Sequence, residues 1–203
     1  MDKIYTYTML FSIATFTLST VLSPGPNNIM LLSSGLTFGY KKTIPHMLGI
    51  ILGFPFMVLL IGLGLGFVFE SYLFIFIALK YIGILYLFWM AYKIANNASR
   101  LDTTNNSKPF TFIQSAIFQW LNPKAWIMAV TSTSVFVTSS IYAYEQVFII
   151  AFIYLLSGLV STNGWTLGGV VLKKFIKDEK MIKIFNITMA ILLVASILPF
   201  VFE

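Results

Sequence analysis

The stretch Ser23-Pro24-Gly25-Pro26-Asn27-Asn28 limits the fold more than any other. It separates two apolar runs, residues 7–22 and 29–38, where a membrane-spanning helix would otherwise continue. Proline has no backbone N–H and clashes with the preceding turn, so two prolines and a glycine end the first helical piece. Pro26 suits the first position of the next piece. A backbone break in hydrocarbon survives only where protein or a water-filled cavity surrounds it. A second interruption follows about a hundred residues later, at Gln119-Trp120-Leu121-Asn122-Pro123-Lys124. Paired broken spans in corresponding halves of a chain point to a transporter's binding site.

Lipid is the solvent that makes these breaks significant. The chain of 203 residues is 58% hydrophobic and only 10% charged, with a mean hydropathy of +0.88. Soluble domains carry about 25% charged residues. A span takes roughly 20 apolar residues, so six helices with short loops use nearly the whole length. That leaves a single transmembrane domain and no room for a catalytic domain outside the bilayer. The first run reads as a retained span, because Lys3 is its only basic flank and no small-x-small cleavage site precedes the break.

In chain order, spans are expected at residues 5–38 (broken), 44–69, 72–92, 112–137 (broken), 146–172 and 182–202. Residues 39–42 read as a basic turn, and the polar residues 93–109 as a linker between halves of about 1–100 and 109–203. Three spans per half, each half led by a broken one, predict an all-α membrane protein of two inverted three-helix repeats. Charge supports that count. Lys41, Lys42, Lys93, Arg100, Lys108, Lys173, Lys174, Lys177, Lys180 and Lys183 fall in or beside alternate connections, whereas the other side has Lys3 with Asp2, Glu70, Glu145 and Glu203. The basic side is expected to face the cytoplasm, with both termini outside it. The net charge of +6 is therefore topological, and no nucleic-acid partner is expected.

Candidate binding residues cluster at the breaks. Asn122 is a favoured helix N-cap, Pro123 fits the first helical position, and Lys124 follows. A cation at the positive end of a helix is unfavourable unless an anion joins it, so Lys124 is expected to meet a carboxylate. Pro24, Gly25 and Pro26 open a second free helix N-terminus, and the amides of Asn27 and Asn28 both donate and accept. The set suits a small zwitterion; the plainer reading is that the two asparagines satisfy carbonyls freed by the prolines. Asn163, beside Gly164, is the strongest of the other polar residues at membrane depth, because the glycine favours local loosening of the helix; Gln119, Thr162 and Asn186 are expected to bond between helices. Lys80 reads as lining a groove or pairing with Glu70, His46 as interfacial, and Gly35/Gly39, Gly49/Gly53 and Gly62/Gly66 as close-packing pairs.

Several chemistries are excluded. The chain has no cysteine, and no acidic or histidine cluster within its spans, so no metal or other cofactor is expected. No phosphate loop, dinucleotide fingerprint, hydrolase triad or buried carboxylate appears. A passive channel and an intramembrane enzyme using Lys124 remain as alternatives to a transporter, and an enzyme is not expected. A homo-oligomer is left open.

Leu22-Ser23-Pro24-Gly25-Pro26-Asn27-Asn28, then Gly39-Tyr40-Lys41-Lys42, then Asn122-Pro123-Lys124 resemble, in order and spacing, the LysE/RhtB family of amino-acid exporters. Residues 24–35 and Trp89-Met90-Ala91-Tyr92-Lys93-Ile94 look most like the branch that includes cysteine/O-acetylserine exporters. The resemblance implies efflux of a small neutral amino acid or derivative across a bacterial cytoplasmic membrane, driven by the proton gradient. One departure is visible. Many members carry an Asp in the second span, where this chain reads Gly49-Ile50-Ile51-Leu52-Gly53-Phe54-Pro55, which argues against basic substrates and an Asp-based proton relay.

Overall fold

The structure, a computed structural model, describes residues 4–65, 73–96, 108–138, 141–176, 178–196 and 198. These are helical, with no strand among them. The elements are α1 (Tyr7–Leu22), α2 (Pro26–Phe38), α3 (Tyr40–Leu60), α4 (Leu73–Asn96), α5 (Phe112–Leu121), α6 (Pro123–Phe136), α7 (Ala143–Phe175) and α8 (Glu179–Ala195). A short π-helical turn, Ile61–Leu65, prolongs α3. Three helical stretches are long and apolar enough to cross a membrane, and four if α1 and α2, bent by 57°, count as one span. Large apolar side chains cover the outside, with Tyr7 82%, Phe11 74% and Phe74 80% exposed. Water would not tolerate so wide an apolar surface on a monomer.

Local chemistry sets the helix ends. Thr6 caps α1 by accepting from the Met9 amide at 3.2 Å. Thr111 and Gln114 form a reciprocal capping box at the start of α5. Asp178 caps α8 through the Met181 amide at 2.7 Å. The expected basic turn at residues 39–42 shrinks to Gly39 alone. Its φ of +80° is open to glycine without strain, so the chain reverses there and α3 already contains Lys41 and Lys42. For the same reason Gly39 makes a turn rather than a close packing contact; nothing lies near its missing side chain. Gly35 does pack closely, against the Thr166 carbonyl of α7, as do Gly49 and Gly53 against α5. Of the remaining expectations, Gly66, Glu70 and residues 97–107 of the linker lie outside the described residues.

Among the described residues three apolar clusters fill the interior, the smallest joining Leu31 of α2 to Met47, Ile50 and Ile51 of α3, and the two larger ones share the broken helices. One joins Ile13 of α1, Phe54, Met57 and Val58 of α3, Ala125 and Ala129 of α6, and Ile150 and Tyr154 of α7. The other joins Ile29 and Met30 of α2, Leu87 and Met90 of α4, Phe118 of α5, and Met189 and Leu193 of α8. Each broken pair thus gives one half-helix to each cluster, and both breaks fall on the seam between them. At that seam α2 crosses α7 backbone to backbone, with Gly169 against the Leu32 carbonyl.

Two polar residues depart from expectation. His46 is not interfacial but 1% exposed, its ring centroid 5.2 Å from that of Phe110, because α3 turns that face inward. The helix does not loosen at Asn163-Gly164; α7 runs unbroken over 33 residues. The Asn163 side chain donates to the Leu159 carbonyl one turn back at 2.7 Å, which supports the turn that the glycine would weaken.

Candidate functional site

The two breaks touch. Ser23 to Gly25 part α1 from α2, and Asn122 alone parts α5 from α6. Lys124, in the first turn of α6, reaches across the seam. Its Nζ donates to the Ser23 carbonyl and hydroxyl, both at 2.7 Å, and to the Pro24 carbonyl at 3.2 Å. Gly25 is what admits it. A Cβ at that position would lie 2.8 Å from Lys124 Cδ and 3.1 Å from Nζ. The φ of Gly25 is 179°, ordinary extended backbone, so space rather than strain favours glycine there.

Every carbonyl freed at the end of α1 has a partner, as burial in a membrane protein requires. The Ser19 carbonyl accepts from the Ser23 amide and the Thr20 carbonyl from the Ser23 hydroxyl. Val21 is served by Asn28 Nδ2 at 2.7 Å and Ser161 Oγ at 2.7 Å, and Leu22 by Trp165 Nε1 at 3.3 Å. Asn28 also donates to the Ser23 carbonyl at 2.8 Å. The plainer reading of Asn28 therefore holds: both its amide protons go to freed carbonyls.

Asn27 behaves differently. Its amide pairs reciprocally with that of Gln119, Nδ2 to Oε1 at 2.8 Å and Nε2 to Oδ1 at 3.3 Å. Gln119 is fully buried on α5 and also donates to the Ser115 carbonyl at 2.8 Å. This amide pair is a second tie between the two broken helices, one turn from the first. The α6 end is closed by Asn122, whose side chain accepts from the Lys124 amide at 3.2 Å. The N-terminus of α2, by contrast, has no side-chain cap.

A cavity of about 50 Å3 opens between the breaks. Gly25, Pro26, Asn27, Asn28, Asn122 and Lys124 line it, together with Thr20, Tyr154, Gly158, Ser161 and Thr162. Among the residues expected at the site, Pro24 contributes a carbonyl to Lys124, and Pro123 starts α6 without lining the space. Asn163 stands apart, accepting from the Tyr40 hydroxyl, while its neighbours Ser161 and Thr162 face the cavity. The sequence reading passed over Tyr154, Gly158 and Ser161 as wall residues. Their i, i+4, i+7 spacing on α7 is a signal that could have revealed them. Lys80 is half-buried on α4 and does not line this space. Among the described residues, no group of His, Cys, Asp or Glu is arranged to hold a metal ion.

An uncapped helix end, a lysine and paired amides around one small cavity form a positively polarised, hydrogen-bonding site. The chain is 30% identical over 192 residues to the cysteine/O-acetylserine efflux protein of Escherichia coli K12, covering 93% of this chain and 95% of that protein. The protein of that name from Shigella sonnei matches to the same extent. No solved structure matches. The model of the LysE type translocator family matches residues 18–200, a range that takes in both breaks, and the chain belongs to that family.

Proposed function

We propose that this protein is a secondary transporter that exports a small neutral amino acid or derivative, of the cysteine and O-acetylserine kind named for its relatives, from the cytoplasm. It would work as one transmembrane domain of six spans in the bacterial cytoplasmic membrane, with inverted halves of about 1–100 and 109–203 and both termini outside. Rocking of one half against the other would expose the seam alternately to the two sides, driven by the proton gradient.

The observation that carries this reading is the Lys124 ammonium resting on the Ser23 and Pro24 carbonyls across the two breaks. A zwitterion is the ligand class that can enter this contact without leaving an orphan. Its carboxylate takes the place of the carbonyls on Lys124, and its ammonium takes the place of Lys124 on the carbonyls. A simple anion would leave the Pro24 carbonyl without its donor, the Ser23 carbonyl keeping Asn28, and a cation would face Lys124 directly. That asymmetry selects neutral amino acids over basic ones, in keeping with the absence of a carboxylate among the described residues that line the cavity. Asn27 stands next to this exchange and would sense it through Gln119.

The test is efflux from proteoliposomes loaded in turn with O-acetylserine, cysteine, lysine and acetate, with and without an imposed proton gradient. Saturable efflux of the zwitterions, accelerated by the gradient, is expected. Non-saturable flow indifferent to the gradient would make the protein a channel, and chemically altered product would make it an enzyme; either overturns the proposal.

A further inference from the structure

A second space lies along the same helices and is far larger than the cavity at the breaks. It is a chamber of about 610 Å3 bounded by α2, α3, α4, α5, α8 and residues 108–111. Met30 of α2, on its wall, is three residues beyond Asn27, or roughly 4.5 Å along the helix axis. On α5 the order is matched: Gln114 lines the chamber, Gln119 pairs with Asn27, and Asn122 lines the cavity. On α5 the amide pair therefore stands between the two spaces, and on α2 the wall passes from the cavity at Asn27 and Asn28 to the chamber at Met30.

The chamber wall holds polar groups that the fold leaves unsatisfied. His46, 1% exposed, has no hydrogen-bond partner at either ring nitrogen, and Asn186, 2% exposed, has none at Oδ1. Both line the chamber. Buried polar atoms without partners are uncommon in folded proteins and call for an explanation. Lys93 and Lys108 also line it, both exposed and both on the side of the molecule rich in basic residues. Among the described lining residues there is no carboxylate.

We infer that this chamber is a second, intake site for the zwitterionic substrate, in series with the cavity at the breaks and adjoining it beside the Asn27–Gln119 amide pair. The inference rests on the exporter reading and adds a place where cargo is collected before it reaches the seam. The chemistry is complementary. Asn186 Oδ1 and the unprotonated nitrogen of a neutral imidazole are acceptors, which an ammonium or a side-chain hydroxyl or thiol supplies with protons. The lysines supply the cations for the carboxylate. Water alone would satisfy the buried acceptors but gives no role to Lys108 on the exposed rim, whereas Lys93 Nζ already rests over the Trp89 ring, 4.0 Å from its centroid. A bare anion uses the lysines and ignores the acceptors. The volume is in the range of pockets that take small organic ligands, about 300–1,000 Å3.

The test is equilibrium binding of radiolabelled O-acetyl-L-serine to the full chain in lipid nanodiscs. Two equivalents are expected for the unaltered protein. Asn186→Leu and Lys108→Gln should each lose the chamber equivalent and keep the one at the breaks, and Lys124→Ala should do the reverse. In vesicles, the chamber variants should raise the KM for substrate at the basic face several-fold. A single equivalent that disappears with Lys124→Ala overturns the chamber while the exporter reading stands. Two equivalents that both survive Lys124→Ala overturn the site at the breaks instead. Should Asn186→Leu bind nothing because it fails to fold, Lys108→Gln on the exposed rim decides, and two equivalents there overturn the inference. Displacement of the chamber equivalent by acetate or phosphate as readily as by unlabelled O-acetylserine also overturns it.

Discussion

The two breaks solve the same problem with different means. The second is self-contained. Asn122 accepts from the Lys124 amide, its own amide bonds the Gln119 carbonyl at 3.3 Å, and Trp126 Nε1 serves the Trp120 carbonyl at 2.9 Å. All of these groups lie within eight residues of one another. The first break is met only partly by its own residues, Ser23 and Asn28, and partly from other helices. Its carbonyls are held by Ser161 and Trp165 of α7 and by Lys124 of α6, and the helix that follows has no side-chain cap. A break satisfied locally keeps its shape whatever its neighbours do. One satisfied from a distance changes when its donors move. The second break therefore suits a fixed arm that carries Lys124, and the first suits the part that responds.

Predictions that would break or sharpen this contrast begin with Lys124. Lys124→Ala should abolish efflux from loaded vesicles while membrane insertion persists, because the carbonyls it releases belong to exposed Ser23 and Pro24. Unchanged efflux would remove the lysine from the site. Gly25→Ala comes next. The added methyl displaces only the flexible end of Lys124, so export should fall on the order of tenfold, equivalent to about 1.4 kcal/mol, with abundance preserved. Gly83→Ala is the counterpart: its methyl would strike the Leu121 backbone, and abundance should fall first. A double-mutant cycle on Asn27→Ala and Gln119→Ala, read as KM for efflux, should give a coupling of about 1 kcal/mol, since single hydrogen bonds between membrane helices average about 0.6 kcal/mol. Additive effects would dismiss the tie. Asn122→Ala should have the smallest effect, removing a local cap worth about 1 kcal/mol and lowering the melting temperature of the purified protein by a few degrees.

What the sequence made legible follows the same division. Proline, glycine and an N-cap asparagine act on their own backbone, so both breaks, the start of α6 and the position of Lys124 in its first turn could be read directly from Asn122-Pro123-Lys124. That the two breaks meet followed from pairing broken spans in two halves, a pattern rather than a contact. The partners were not readable. Gln119 and Asn27 are 92 residues apart, and nothing local distinguishes an amide that bonds another helix from one that waits for a ligand. Asn163 illustrates the cost of that ambiguity, since the same residue type two positions from Ser161 turns to Tyr40 instead of the cavity. His46 reads as interfacial because it is a lone histidine after Pro45 at the basic mouth, and its burial against Phe110, 64 residues away, lies beyond any short window.

One consequence remains in the way Lys124 is held. On the exporter reading, the ammonium that receives cargo is also the bolt that keeps the empty gate shut, because both duties use the same three protons. Only a molecule offering a positive and a negative end together can draw that bolt without leaving either side bare. An unladen carrier would then stay latched, and the membrane would not leak protons or water through an idle exporter.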